Sequence, residues 1–276
     1  GGSGSSDGTE TAPLSMSITD AKPALPVGVT NFYVTIEEVL VHKSGGKWQS
    51  VDLVDTPYTI DLLQFTNCVT TEFVPPIQLE VGKYTQVRLV VSSASMVVLG
   101  ENKVATTGYN ITIPSDKLRI DNNFEFDLDD RGVDITVDFD LSQSLVAEGL
   151  DGGPPYKLKP VLHVVETSAD VILTGTIDND SYTDHVPIEA LVTVSERLPT
   201  ELTWTEYTKV VVPMNTDEET TDFTIYWLVP NKIYLVEIDF DPSIDTDNYE
   251  EEINPENDDI DIGPGVVYSL NNGESI

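Results

Sequence analysis

Cysteine is nearly absent, with Cys68 the single example in 276 residues. That rules out an intrachain disulfide and any cysteine-based metal site, and the lone thiol reads as a small buried hydrophobe. Positive charge is scarce too: 14 Lys and Arg stand against 48 Asp and Glu, for a formal charge of −34. Such a surface repels phosphate backbones and anionic headgroups, which argues against nucleic acid as a partner. No apolar run approaches the roughly 20 residues that a membrane-spanning helix needs, so membrane attachment is expected only through a lipid anchor. The sequence also lacks a Gly-x-Ser-x-Gly elbow, a His-Glu-x-x-His pair, a phosphate loop and a dinucleotide fingerprint. Its three histidines, His42, His163 and His185, lie far apart, and acid pairs such as Asp129-Asp130 are expected by chance among so many carboxylates. A non-enzymatic protein is the expectation.

What the chain does have is Val, Ile, Thr and Tyr in short alternating runs, the mixture that fits a pleated, half-buried surface. Leu14/Met16/Ile18, Phe32/Val34/Ile36, Val87/Leu89/Val91 and Ile135/Val137/Phe139 each have a period of two, which predicts antiparallel strands. Ser44-Gly-Gly-Lys47 before Trp48 predicts a hairpin turn. The one helix expected is short, Ser142 to Glu148, with Asp140 or Ser142 as N-cap and Gly149 as stop. Lys157–Val165 reads as the closing strand of a first domain. A fresh start follows at Val171, with further strands expected at about 188–195, 202–213, 221–229, 232–240 and 265–270. The predicted organisation is a Gly/Ser-rich tether over 1–13, a β-sandwich over 14–167 and a second, acidic β-sandwich over 168–276. Acids exceed bases by 23 to 11 up to Thr167 and by 25 to 3 after it. The opening Gly1-Gly-Ser-Gly-Ser-Ser6 reads either as an expression scar or as the tether that follows a lipidated cysteine.

Seven blocks in order carry a family likeness: Leu14–Ala21, Phe32–Val39 running on to Trp48, Ile60–Leu63, Gly82–Ser92, Ile113–Ser115, Val137–Ser144 and Tyr156–Val161. Together they resemble the domain of unknown function 4382 family, whose members are secreted and often lipid-anchored proteins of bacteria and archaea. The resemblance implies an immunoglobulin-like β-sandwich, export with a removed signal peptide, and no catalytic residues. Further on, Phe223-Thr-Ile-Tyr-Trp-Leu-Val-Pro-Asn-Lys-Ile-Tyr-Leu235 resembles the hairpin of carboxypeptidase-regulatory-like, prealbumin-type sandwiches, with Asn231 where those have glycine. The fold class expected is therefore all-β, two tandem immunoglobulin-like or prealbumin-like β-sandwiches.

Two acidic stretches offer a Ca²⁺ site. Asp178, Asp180 and Asp184, followed by Glu189, repeat the spacing of Asp245, Asp247 and Glu251, followed by Glu256. Hard cations take six to eight oxygens, and alternate residues of a loop can supply them. Both stretches depart from the helix–loop–helix calcium loop, since Tyr182 and Tyr249 replace a ligand and the turn glycine is missing. The competing reading is a pair of solvated acidic turns. Residues 239–261 hold eleven acids and no Lys or Arg, a density that favours a disordered loop unless cations order it. Trp204, Tyr207, Tyr226 and Trp227 are candidate glycan contacts or, alternatively, core residues. Asn110-Ile-Thr112 and Asn179-Asp-Ser181 are glycosylation sequons.

These features suggest an extracellular, cell-surface structural or adhesive protein. It would self-associate, or join other surface proteins, into a filament by strand addition, with Leu14–Ile18 and Val266–Leu270 as the candidate strands. The alternative is a calcium-dependent glycan- or protein-binding surface lipoprotein.

Overall fold

The alternation at Leu14, Met16 and Ile18 becomes strand β1 (Thr11–Thr19), whose inward side chains, Ala12 included, are fully buried. Burial of Leu, Met or Ile contributes roughly 1.5–3 kcal/mol each, so this strand supplies a sizeable part of the core around it. The computed structural model describes residues 9–20, 25, 28–100, 102–147, 156–178, 189–215, 217–240, 249–253 and 267–271. The strand begins at Thr11, three residues ahead of Leu14 and inside the stretch read as tether.

Along the chain follow β2 (Val29–Lys43), β3 (Trp48–Val51), β4 (Tyr58–Asp61), β5 (Thr71–Glu80), β6 (Gly82–Leu99), β7 (Thr106–Ile111) and β8 (Leu118–Asn122). Next come β9 (Phe126–Leu128), β10 (Val133–Phe139), β11 (Leu145–Ala147), β12 (Tyr156–Leu158) and β13 (Leu162–Glu166). One sheet has the order β13-β10-β1-β5, and the other is built on the long β2-β6 pair with β3, β4, β7, β8 and β9 around it. Leu14, Met16, Ile135 and Phe139 from the first sheet meet Phe32, Val34, Val87 and Leu89 from the second in one continuous core. The Ser44–Lys47 hairpin is present: Gly45 has φ +72°, Gly46 N–H donates to the Lys43 carbonyl (2.9 Å), and His42 pairs with Trp48.

The remaining strands are β14 (Val171–Asp178), β15 (Glu189–Arg197), β16 (Thr205–Pro213), β17 (Thr220–Leu228), β18 (Ile233–Phe240), β19 (Tyr249–Ile253) and β20 (Val267–Asn271). They form sheets of order β17-β14-β20 and β16-β15-β18-β19. A second core lies between them, in which Leu173, Phe223 and Ile225 meet Val192, Val194 and Val236. The fold is all-β and built of sandwiches, as the sequence predicts.

Local details differ from the sequence reading. The helix is one turn, α1 (Leu141–Ser144), because Leu145 already pairs with Leu158 as β11. Asp140 is its N-cap residue without a side-chain capping bond. The closing strand is split at Pro160, which has no N–H to give a ladder. The Phe223–Leu235 segment is not a hairpin, since β17 and β18 belong to different sheets. It is a corner instead, closed by the Tyr234 hydroxyl, which donates to the Val229 carbonyl (2.7 Å) and accepts from the Val229 N–H (2.8 Å). Asn231 sits at φ +65° there, a conformation Asn tolerates where the related segments use glycine. Part of the acidic stretch 239–261 is the edge strand β19, antiparallel to β18. Cys68 is exposed, because it falls in the turn after β4 and not in a strand.

Candidate functional site at the junction of the two cores

The junction is built from a bulge. Val171 pairs with Leu228 and Leu173 with Ile225, so Tyr226 and Trp227 together face the single residue Ile172. Bulges of this kind re-aim side chains. Trp227 is held at φ +64°, which is a strained backbone for a bulky residue. The indole Nε1–H donates to the Asn67 carbonyl of the first core (2.8 Å), while the Trp227 carbonyl accepts the Tyr207 hydroxyl. Asn67 in turn donates its N–H to the Asp20 carbonyl at the end of β1 (2.9 Å). One residue thus connects the second core to the first strand of the chain.

Beside this connection lies a buried polar cluster. Asp20, Asp138 and Asp140 are at most 1 % exposed. The Asp20 Oδ1 accepts the Leu141 N–H (3.3 Å), and its Oδ2 has no protein partner. Burial, and then the charges of Asp138 and Asp140, push the Asp20 carboxyl well above the usual carboxylate range. The Nε2 of His163, from β13, hydrogen-bonds Asp140 (3.0 Å), and its ring stacks on Tyr207 at a centroid distance of 3.9 Å. Burial lowers the basicity of that imidazole, but the Asp140 bond and the charges of Asp138, Asp140 and Glu196 outweigh it and hold it above its ordinary value. Glu196, raised mainly by its own burial, is paired with Lys232. Burial also raises the phenols of Tyr207 and Tyr234 well above the usual range. The arrangement is a buried polar cluster between the two cores, and its imidazole is engaged on an edge and a face.

Two of the predicted calcium ligands, one from each acidic stretch, fall on strands. Asp178 ends β14 opposite Thr220, and Glu251 lies in β19 opposite Val236, on a different sheet. Asp180, Asp184, Asp245 and Asp247 lie outside the described residues. Among the described residues, no three His, Cys, Asp or Glu side chains come close enough to hold a metal ion. Of the candidate glycan contacts, Tyr207 and Trp227 are buried at 4 % and 6 % exposure and cannot serve. Trp204 lies under the Arg197 guanidinium at 4.8 Å. The cluster of Asp20, Asp138, Asp140 and His163 was missed from sequence, although Val137-Asp-Phe-Asp140 is a polar alternation on a strand that turns out to be covered on both faces.

A profile for a domain of unknown function, DUF4382, matches residues 11–160. The chain belongs to that family. The matched region of this family member includes β1, Asp20, Asp138 and Asp140 and stops short of His163. No curated protein matches the sequence. Among solved structures, the TIE protein of Bacillus anthracis is similar at 11% identity and TM-score 0.23, over 98% of this chain and 58% of that one. A leucine-rich repeat protein from Bacteroides thetaiotaomicron is similar at 8% identity and TM-score 0.24, over 95% and 26%. A candidate adhesin from Bacteroides ovatus is similar at 8% identity and TM-score 0.23, over 88% and 76%. The chain thus spans 58% and 26% of the first two proteins. At these TM-scores the likenesses carry no argument about fold or function. No helix among the described residues is long and apolar enough to cross a membrane.

Proposed function

We propose that this protein is a non-enzymatic structural or adhesive component of the cell surface, exported and working outside the cell, and that its copies assemble into a filament by strand addition. The observation that carries the reading concerns the two terminal strands. β1 and β20 each complete a sheet through a parallel ladder, to β10 and to β14, and neither is joined to a partner by a hairpin. A strand held in this way makes only contacts that a strand from another chain can also make. The hydrogen-bonded junction between the cores supports a structural role, and the family resemblance supports export. Negative-stain microscopy of the protein in salt with and without calcium tests the reading. Filaments are expected, and a strictly monomeric particle in both conditions overturns it.

A second reading, calcium-dependent binding of a glycan or protein, is favoured by composition: residues 239–261 hold eleven acids and no Lys or Arg, a self-repelling density that a divalent cation would offset. Calorimetric titration with CaCl₂ and then EGTA tests this reading. It is abandoned if neither heat nor a melting shift is seen.

A further inference from the structure

Resting on the strand-addition reading above, we propose that β1 is the strand exchanged and that the groove between β10 and β5 receives β1 from a second copy of this chain.

Connectivity leaves β1 free to be supplied in this way. It ends at Thr19, whereas β5 begins at Thr71 and β10 at Val133, and the chain after Asp20 crosses to the opposite sheet as β2. No turn sets its register. That register comes from non-covalent contacts: the parallel ladder from Leu14–Val133 to Thr19–Asp138, the antiparallel ladder to β5, the Thr19 hydroxyl donating to the Phe65 and Val69 carbonyls, and two outward pairs, Ser15 Oγ to Asp134 Oδ1 (3.0 Å) and Thr11 Oγ1 to Gln78 Oε1 (3.1 Å). A β1 from another copy carries the same groups.

The second ladder is weak by construction. Between β1 and β5 the pairing jumps from Leu14–Ile77 to Met16–Val74, leaving out Pro75 and Pro76. Neither proline has an N–H to give, nor has Pro13 across from Gln78. Where β5 departs, a cleft of about 390 Å³ opens along the outer side of β1, lined by Pro13, Ser15, Pro76, Arg131 and Gly132. At the C-terminal end of β1 the backbone of Asp20 is hydrogen-bonded to Phe65 and Asn67, but its side chain is buried beside Asp138 and Asp140 with one carboxylate oxygen lacking a protein partner.

The occupant is specified by the groove. Its floor requires apolar side chains at alternate positions, and Ala12, Leu14, Met16 and Ile18 fill it to complete burial. Both of its walls are strands, so an incoming β1 gains two ladders. β20, at a sheet edge, would gain one.

The test uses disulfides on the outward face, in chains that also carry Cys68→Ser. The double variant Ser15→Cys/Asp134→Cys is brought to filament-forming conditions under mild oxidation and run on a non-reducing gel. Exchange gives a ladder of covalently linked multimers. A mixture of the two single variants, one mass-tagged, gives a linked pair of mixed mass. If the double variant forms filaments visible by microscopy yet runs wholly as an internally linked monomer, the β1 exchange is overturned while strand addition elsewhere survives. If neither filaments nor multimers form, both readings fall. Thr11→Cys/Glu80→Cys, an opposed pair of the β5 ladder, reads that side in the same way, with the same two outcomes, if the first double variant does not fold. Linked multimers from Thr174→Cys/Ser269→Cys, with none from the β1 pairs, assign the exchange to β20 and overturn the proposal.

Discussion

Trp227, held in a left-handed backbone conformation, reaches from the second core to donate its indole N–H to the carbonyl of Asn67 in the first (2.8 Å). Because Asn67 also donates to the Asp20 carbonyl, the hold on the end of β1 depends on a residue more than 150 positions away in the sequence.

Replacement of Trp227 by Phe keeps an aromatic ring and removes the donor. A hydrogen bond of this kind contributes about 0.5–1.5 kcal/mol net, with a further cost where its partner stays buried and unpaired. The expected result is a loss of about 1–2 kcal/mol and, in calorimetry, the separation of one unfolding transition into two. An unchanged single transition would mean that the indole bond does not couple the cores.

The cluster behind that contact predicts a pH dependence. Asp20 and His163 both bind their protons more tightly folded than unfolded. Their stabilisation is therefore complete below the ordinary values, about 3.9 for Asp and 6.5 for His. It is lost as pH climbs through the raised folded values, for Asp20 first of all by burial and then by the charges of Asp138 and Asp140. Glu196, which is paired with Lys232, also faces this region, and its burial holds its carboxyl above the usual carboxylate range. Stability is expected to fall from mildly acidic to mildly alkaline solution. Asp20→Asn should flatten that slope and exceed the parent by about 1 kcal/mol at the alkaline end, the order of penalty for a buried group left unsatisfied. Denaturant melts at several pH values check this, and parallel slopes for the two proteins would count against it.

In the second core, Gly175 lies directly across the ladder from Phe223, whose ring covers it. A Cβ added there would overlap the ring outright, meeting the Phe223 Cζ first. Gly175→Ala should therefore displace Phe223 and cost about 1–3 kcal/mol, the usual range for overpacking. Gly108→Ala, where nothing lies within 4 Å, is the control. Equal melting temperatures for the two variants would refute the packing argument.

Much of the framework was legible in the sequence because period-two burial is a local signal. The alternations at Leu14, Phe32, Val87 and Ile135 all became core strands. The Ser44–Lys47 turn was readable because glycine chemistry is local too. What escaped depends on distant pairing. Nothing in the pattern of β17 and β18 says that they cross between sheets, since a corner and a hairpin share one alternation. The strand β19 was hidden by its acids. Asp138 alternates with the core residues Val137 and Phe139 and Asp140 reads as a helix N-cap, but both are covered where His163 and Tyr207 stack. Asp20 joins them from more than 100 residues away, and no spacing rule connects such positions.

The parallel pairing of β1 with β10 also bears on the order in which the chain can fold. β1 is made before both of its partners: β5 begins at Thr71, and β10 ends only at Phe139. Until then Leu14, Met16 and Ile18 can pair on one side only. Loop closure over that distance is slow compared with local hairpins. β1 is thus made well before its sheet can close on both sides of it, and it spends that interval as a partly exposed apolar strand.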